Sequence, residues 1–290
     1  MNYEIISDLS IDIDADFARA HQVGYLPMNF SVGEETLCCS EPATAEAMHT
    51  YYDQLRAKVP TSTSQITPYQ YEQFFTPYLE QGKAILYISL SSGLSRTYEA
   101  ALHAANTLKE RFPEAQIEVV DSLGATGGMG LLTESACLNR ENGMSLEENA
   151  QWLRQRASYI NYYFKVEDLM YLKRGGRISA TTAVMGTALQ IRPILTIAGD
   201  GSLSTIAKKR GKNASMQYLL DQLCASFDPS ISEVVYISCA DCVSDAEKLK
   251  SMVLEKLPQA QVKITSLSPI IGAHTGPDML AIIYYGAKRV

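Results

Sequence analysis

Ala84-Ile85-Leu86-Tyr87-Ile88-Ser89-Leu90-Ser91-Ser92-Gly93-Leu94-Ser95-Arg96-Thr97-Tyr98 reads as a buried strand handed to a helix through a short hydroxyl-rich turn. The apolar run Ala84 to Leu90 has the length of a strand covered on both faces. From Tyr98 onward, Ala101, Leu102, Ala105 and Leu108 recur at helical spacing, so one face of that helix is apolar. The same alternation surrounds this stretch. Tyr3 to Ser7 and Ile117 to Val120 are short strands, the second ending at Asp121-Ser122. Met48, Tyr51, Tyr52 and Leu55 follow helical spacing. Thr67-Pro68-Tyr69-Gln70 is a helix start, with a capping Thr, Pro in first position and Gln three residues after the cap. Leu146, Ala150, Leu153, Ala157 and Ile160 mark a further helix. Strands separated by helices predict an α/β N-terminal half: a mostly parallel sheet with helices on both faces. Tyr25 to Val32 reads as one strand more. Gly33-Glu34-Glu35 turns the chain, and Thr36 to Cys39 returns it.

The second half has a different rhythm. Asp168 to Lys173 is a short helical piece halted by Gly175-Gly176. Ile194 to Ala198 and Leu203 to Ala207 flank Gly199-Asp200-Gly201 and read as a hairpin. Val234 to Ser238, Val262 to Leu267 and Met279 to Tyr285 are strands. Ser244-Asp245-Ala246-Glu247 reads as a capping box opening a helix that runs to about Leu257. Hairpins mixed with helices predict an α+β C-terminal domain. The expected division is 1–160 and 161–290.

The chain has 290 residues, of which 46% are hydrophobic, and a net charge of −7. That balance argues against nonspecific attachment to nucleic acid or to an anionic membrane surface. The segment Met1-Asn2-Tyr3-Glu4 lacks a basic n-region, and no apolar run approaches the roughly 20 residues of a membrane helix. A cytoplasmic protein is expected. Six cysteines do not make a disulfide scaffold at this length. Cys239-Ala240-Asp241-Cys242 has CxxC spacing without a second pair, so it reads as a strand end entering a loop, and no metal or cofactor is expected.

Three segments carry candidate chemistry. Ser91 to Tyr98 lies where ligands bind in open α/β sheets, outside the carboxyl end of a strand. A helix start there offers free N–H groups, and Ser92, Ser95 and Thr97 add hydroxyls suited to an anion. Simple helix capping accounts for the same residues. Thr61-Ser62-Thr63-Ser64-Gln65 is a second hydroxyl cluster, able to donate to a carboxylate while keeping a pocket neutral. Ile271-Gly272-Ala273-His274-Thr275-Gly276-Pro277 places a histidine in an expected tight turn before the last strand. Gly93-Leu94-Ser95-Arg96-Thr97 approaches the Gly-x-Ser-x-Gly elbow of hydrolases, with Thr97 in place of the last Gly. A serine esterase using Ser95 and His274, with Asp200 or Asp241 as the orienting acid, is the alternative reading. Gly124-Ala125-Thr126-Gly127-Gly128-Met129-Gly130 matches neither a dinucleotide nor a P-loop fingerprint and reads as close helix–sheet packing. Lys173-Arg174-Gly175-Gly176-Arg177 and Lys208-Lys209-Arg210 are basic clusters in an acidic chain. Beside a bound carboxylate they favour phosphate or an acidic partner.

In order and spacing these segments resemble the DegV family of bacterial fatty-acid-binding proteins. The likeness runs through Thr63-Ser64-Gln65, Leu94-Ser95 with Thr97-Tyr98, Asp121-Ser122, Tyr171-Leu172 with Gly175-Gly176-Arg177, and Pro193-Ile194-Leu195. It continues through Asp200-Gly201, Lys209-Arg210 and His274-Thr275-Gly276-Pro277. The resemblance implies two domains with a long-chain fatty acid, such as palmitate or oleate, buried between them. It implies a carboxylate held near Thr63, Ser95 and His274, with Ser64, Ser92, Arg177 and Arg210 in supporting or partner-facing positions. It further implies no catalysis by the chain itself, and presentation of the acid to an ATP-dependent kinase subunit. Three positions depart from the family pattern: Arg96 and Asp278 stand where glycine is usual, and Asp8-Leu9-Ser10 replaces Asp-Ser-Thr/Ser.

Overall fold

The computed structural model describes residues 3–179 and 191–290. Four strands form the parallel sheet: β1 (Tyr3–Asp8), β2 (Gly24–Leu26), β6 (Ala84–Ser89) and β7 (Ile117–Asp121), in the order β2-β1-β6-β7. Alternation along these strands feeds two cores. Ile5, Leu86, Ile88 and Val120 face one side, and Ile6, Ile85, Tyr87 and Val119 the other. The helices Pro68–Glu80 and Thr97–Arg111 cover the second side. The helix Thr126–Glu141 covers the first, so the sheet is clad on both faces as the sequence pattern predicts.

β8 (Ile160–Lys165), β9 (Ile191–Ile197), β10 (Leu203–Arg210), β11 (Val234–Cys239), β12 (Gln261–Ser266) and β13 (Leu280–Tyr285) form the second sheet, ordered β10-β9-β8-β13-β11-β12. It is mainly antiparallel, with β11 and β12 parallel. The helices Lys212–Ser226 and Val243–Lys256 pack on its outer face. Its inner face packs on Thr126–Glu141, which is thereby pressed between two sheets. The glycine run explains how. A β-carbon on Gly124 or Gly128 would strike the Tyr162 ring, and one on Gly130 would strike the Asp12 carbonyl. Bare backbone at these positions lets the helix seat against both sheets.

Several expectations need correction. The helix marked by Leu146 to Ile160 ends at Arg156, Ala157–Tyr159 is a single tighter turn, and Ile160 opens β8. Tyr25 to Val32 is not one strand. Pro27 has no N–H to give a ladder, and the chain changes sheets there. β2 stays in the parallel sheet, while β3 (Met28–Val32) joins β4 (Glu35–Cys39) and β5 (Thr61–Thr63) in a small antiparallel sheet ordered β4-β3-β5. The Ser244 capping box does not form either. The helix begins two residues earlier, at Val243, with Cys242 in place of Ser244 at its N-cap and no side-chain cap. The Thr67–Gln70 box does form, as does one at Ser145–Glu148 that the sequence reading passed over. Among the described residues no helix is long and apolar enough to cross a membrane.

Candidate functional site

The loop after β6 is fixed from beneath by a buried carboxylate. Asp8, at the end of β1, accepts the N–H and hydroxyl of Ser10, the Tyr87 hydroxyl at 2.7 Å and the Leu90 N–H at 3.3 Å. These bonds tie the carboxyl ends of two neighbouring strands together. From there Ser91 donates its hydroxyl to the Gly201 carbonyl at 2.9 Å, and Gly93 packs directly on Gly201. The hairpin β9–β10 is thus joined to the loop that carries Ser92 and Ser95. The Ser95 hydroxyl lies 2.7 Å from that of Thr97 and accepts the Thr97 N–H.

His274 arrives on a different frame. The expected turn is a helix, Pro269–Thr275, and His274 sits in its last turn. Gly276 follows in the left-handed region at φ +76, as a helix terminator does. Two tyrosines of the helix Ala45–Arg56 hold this short helix: Tyr51 donates to the Pro269 carbonyl at 3.1 Å and Tyr52 to the Leu267 carbonyl at 3.0 Å. A side chain on Gly272 would collide with the Tyr52 hydroxyl, and one on Gly276 with the Tyr171 ring. The Ser268 N–H donates to Asp12 at 3.0 Å, and burial pushes the Asp12 carboxyl well above the usual range.

These frames meet around a cavity of about 460 Å³. Most of its wall is apolar and includes Leu90, Phe164, Leu172, Ile197, Ile270 and Ile283. Thr63, Ser64, Gln65, Ser92, Ser95, Arg96, Arg177 and His274 supply a polar part. Thr63 ends β5, and its hydroxyl is 2.8 Å from Nε2 of His274. Arg177 is half-buried; its Nε donates to the Leu94 carbonyl at 3.1 Å and its Nη1 to the Gly175 carbonyl. Among the described residues no carboxylate pairs with it, so its positive charge is uncompensated in the cavity wall. Burial lowers its pKa. Six of the seven sequence-derived candidates therefore line one cavity: Thr63, Ser64, Ser92, Ser95, Arg177 and His274. Arg210 does not. It ends the edge strand β10 and is exposed; nearby, Lys209 lies over the Tyr218 ring.

The whole arrangement matches known proteins. A family model for uncharacterised proteins of the DegV family matches residues 2–287. The chain belongs to the DegV family. A DegV domain-containing protein of Clostridium perfringens is 33% identical over 287 residues, covering 99% of this chain and 98% of that one. Among solved structures, a DegV-family protein from Thermus thermophilus, described as fatty-acid-binding, superposes with a TM-score of 0.86 at 24% identity, covering 99% and 100% of the two chains. The Streptococcus pneumoniae fatty acid kinase B3 protein, loaded with linoleic acid, superposes with a TM-score of 0.84 at 22% identity, covering 98% and 99%. At these identities the structures establish the DegV fold.

Among the described residues Ser95, His274, Asp200 and Asp241 do not assemble as a hydrolytic triad. The imidazole bonds Thr63, not Ser95, and Nδ1 of His274 has no partner among the described residues. Asp200 accepts from Ser202, and Asp241 is held by Arg56 and His49. Asp241, His49 and Asp53 bring ligand-type atoms within 4.8 Å of one another. The Arg56 guanidinium already pairs with both carboxylates, at 2.6 Å from Asp241 and 2.9 Å from Asp53, and with Asp278 at 2.9 Å. The two CxxC sulfurs are buried and free. Cys239 ends β11 and Cys242 donates to the Met279 carbonyl, which is the strand-to-loop junction expected.

Burial, helped by the Arg177 charge, lowers the His274 pKa to about 4. In the unfolded chain it titrates near 6.5. The unfolded state therefore binds more protons between these values, and stability falls as pH drops from about 6.5 to about 4. The His274 contribution to that loss is expected to be about 1–3 kcal/mol. Urea unfolding of wild type and His274→Gln at pH 7.5 and 4.5 measures it. An equal pH dependence in the two proteins would show that His274 is solvated.

Proposed function

We propose that this chain binds a long-chain fatty acid, with the hydrocarbon in the apolar cavity and the carboxylate at Thr63, Ser95 and His274. The observation that carries this reading is the pairing of an apolar cavity with a polar part made of hydroxyls, a neutral imidazole and the half-buried Arg177 guanidinium, which no carboxylate pairs among the described residues. Hydroxyls satisfy a carboxylate's lone pairs, and Arg177 supplies the charge that a buried anion needs. Ser64 and Ser92 flank this end. The described ligands of the Thermus and pneumococcal relatives support the assignment. We propose also that residues 1–160 and 161–290 are the two domains, meeting around the lipid. The protein would act in the cytoplasm and present the acid to an ATP-dependent kinase subunit. The pneumococcal relative's name as a kinase B protein supports that last step.

Mass spectrometry of purified protein tests the ligand. Native and denatured spectra are expected to differ by the mass of one fatty acid, recovered in the organic extract. Protein that is free of lipid and takes up neither palmitate nor oleate would refute the reading. Fluorophosphonate is expected to leave Ser95 unlabelled, because its hydroxyl bonds Thr97 and no base contacts it among the described residues. Stoichiometric labelling abolished by His274→Ala would establish the esterase instead.

A further inference from the structure

We propose that Ala281 sets the length of acyl chain the cavity accepts, an inference that rests on the fatty-acid reading above. The floor of the cavity is the inner face of the six-stranded sheet. Tyr162 and Phe164 come from β8, Ile197 from β9 and Leu203 from β10. Met279 precedes β13, which supplies Ala281 and Ile283. The two-residue period of an extended chain puts 279, 281 and 283 on this face. Leu280, Ile282 and Tyr284 point the other way, into the outer core.

Ala281 is the one small side chain among these seven. In the ladder it stands between Phe164 on β8 and Ser238 on β11. Along its own strand it is flanked by Met279 and Ile283, each about 7 Å away at two residues of strand rise. The next position, Ile283, faces Tyr162 across the ladder. A notch therefore lies in the floor between two aromatic rings of β8 and two long aliphatic side chains. Ala281 lines the cavity but is only 2% exposed, so its methyl group meets the ligand space at the limit of close packing, and added carbons there have the cavity as their nearest free volume. Its polar neighbours Ser238 and Thr265 are bonded to each other at 2.9 Å and ask nothing of the ligand.

A larger side chain at 281 takes volume directly from the lipid, because a close-packed sheet and central helix leave little room to yield. Valine adds two carbons and leucine three. Excluding two or three buried methylenes weakens a long chain by roughly 10- to 100-fold. A chain too short to reach the notch loses nothing.

The test is a set of dissociation constants for saturated acids of 12, 14, 16 and 18 carbons, by displacement of a fluorescent fatty acid. Wild type is compared with Ala281→Val and Ala281→Leu. The expected result is a graded shift, in which the 18-carbon acid loses affinity in the order wild type, Val, Leu, while the 12-carbon acid stays within about threefold. Valine suits a strand, so Ala281→Val keeps the test available where Ala281→Leu fails to fold. A wild type that binds all four acids, with an unchanged 12-to-18 ratio in folded Ala281→Val, overturns the role of Ala281 alone. Absence of binding in wild type overturns the fatty-acid reading and the inference with it.

Discussion

Asp8→Ala is expected to lower unfolding stability by about 3–5 kcal/mol, a larger loss than any other single change at the site. The residue is fully buried. Its two oxygens accept from the Ser10 N–H and hydroxyl, the Tyr87 hydroxyl and the Leu90 N–H. Alanine leaves these donors without an acceptor in a place that water does not reach freely. Each stranded buried donor costs roughly 1–3 kcal/mol, and breaking such a buried network is among the few mechanisms that reach losses above about 4 kcal/mol. Tyr87 keeps one bond, to the Tyr71 hydroxyl at 2.7 Å, which limits the damage. Asp8→Asn keeps the shape and one acceptor oxygen, so it should cost less. Chemical denaturation of the three proteins measures the series. Lipid affinity should fall with stability, since the Leu90 N–H is the step from which the Ser91–Thr97 loop departs. An Asp8→Ala protein within 1 kcal/mol of wild type would mean that the carboxylate is dispensable to the strand ends.

Much of this frame is legible in the sequence. Ala84 to Leu90 announced a strand covered on both sides, and the helix after it announced the parallel sheet. The glycines from 124 to 130 were rightly read as packing, although Tyr162 as the group they admit could not be named. That contact joins residues far apart in sequence, and local patterns carry no information about it. The same limit hid the partners of His274. Its flanking glycines suggested a turn, because a seven-residue helix is too short to show a repeat. What forms that helix is tertiary: Tyr51 binds the Pro269 carbonyl, Tyr52 the Leu267 carbonyl just ahead of the helix, and Asp12 takes the N–H of Ser268. Pro27 was the opposite case. The signal that splits Tyr25 to Val32 between two sheets was visible, since proline cannot serve a central ladder. Asp8 was noticed only as part of a departure from family pattern. A charged residue at the end of an apolar strand is the available hint for such a carboxylate anchor. Arg210 stands apart because a basic run carries no address: the strand that bears it lies at a sheet edge, where Arg210 faces outward and away from the cavity.

Thr63→Val with Ser95→Ala is expected to show that two frames hold one carboxylate. Thr63 comes from the small sheet and Ser95 from the loop after β6, yet both line the same polar end. A hydrogen bond to a charged acceptor is worth about 1.5–3 kcal/mol, so each single variant should weaken binding by roughly 10- to 100-fold. Valine keeps the shape of Thr63 and removes its bond to Nε2 of His274, freeing the imidazole. Alanine at 95 removes the partner of the Thr97 hydroxyl. In the double variant the carboxylate has lost both donors, and Arg177 remains. The free acid can then slide toward the guanidinium, so the combined loss should exceed either single loss and fall short of their product. Neighbours that share a partner behave in this way. Arg177→Met in the same background should remove most of what is left, because an unpaired buried carboxylate is costly. Titration with a fluorescent fatty acid reads wild type and all four variants. Wild-type affinity in the Thr63→Val, Ser95→Ala protein would place the head group elsewhere in the cavity. A loss equal to the product of the single effects would mean that the two hydroxyls bind the lipid independently.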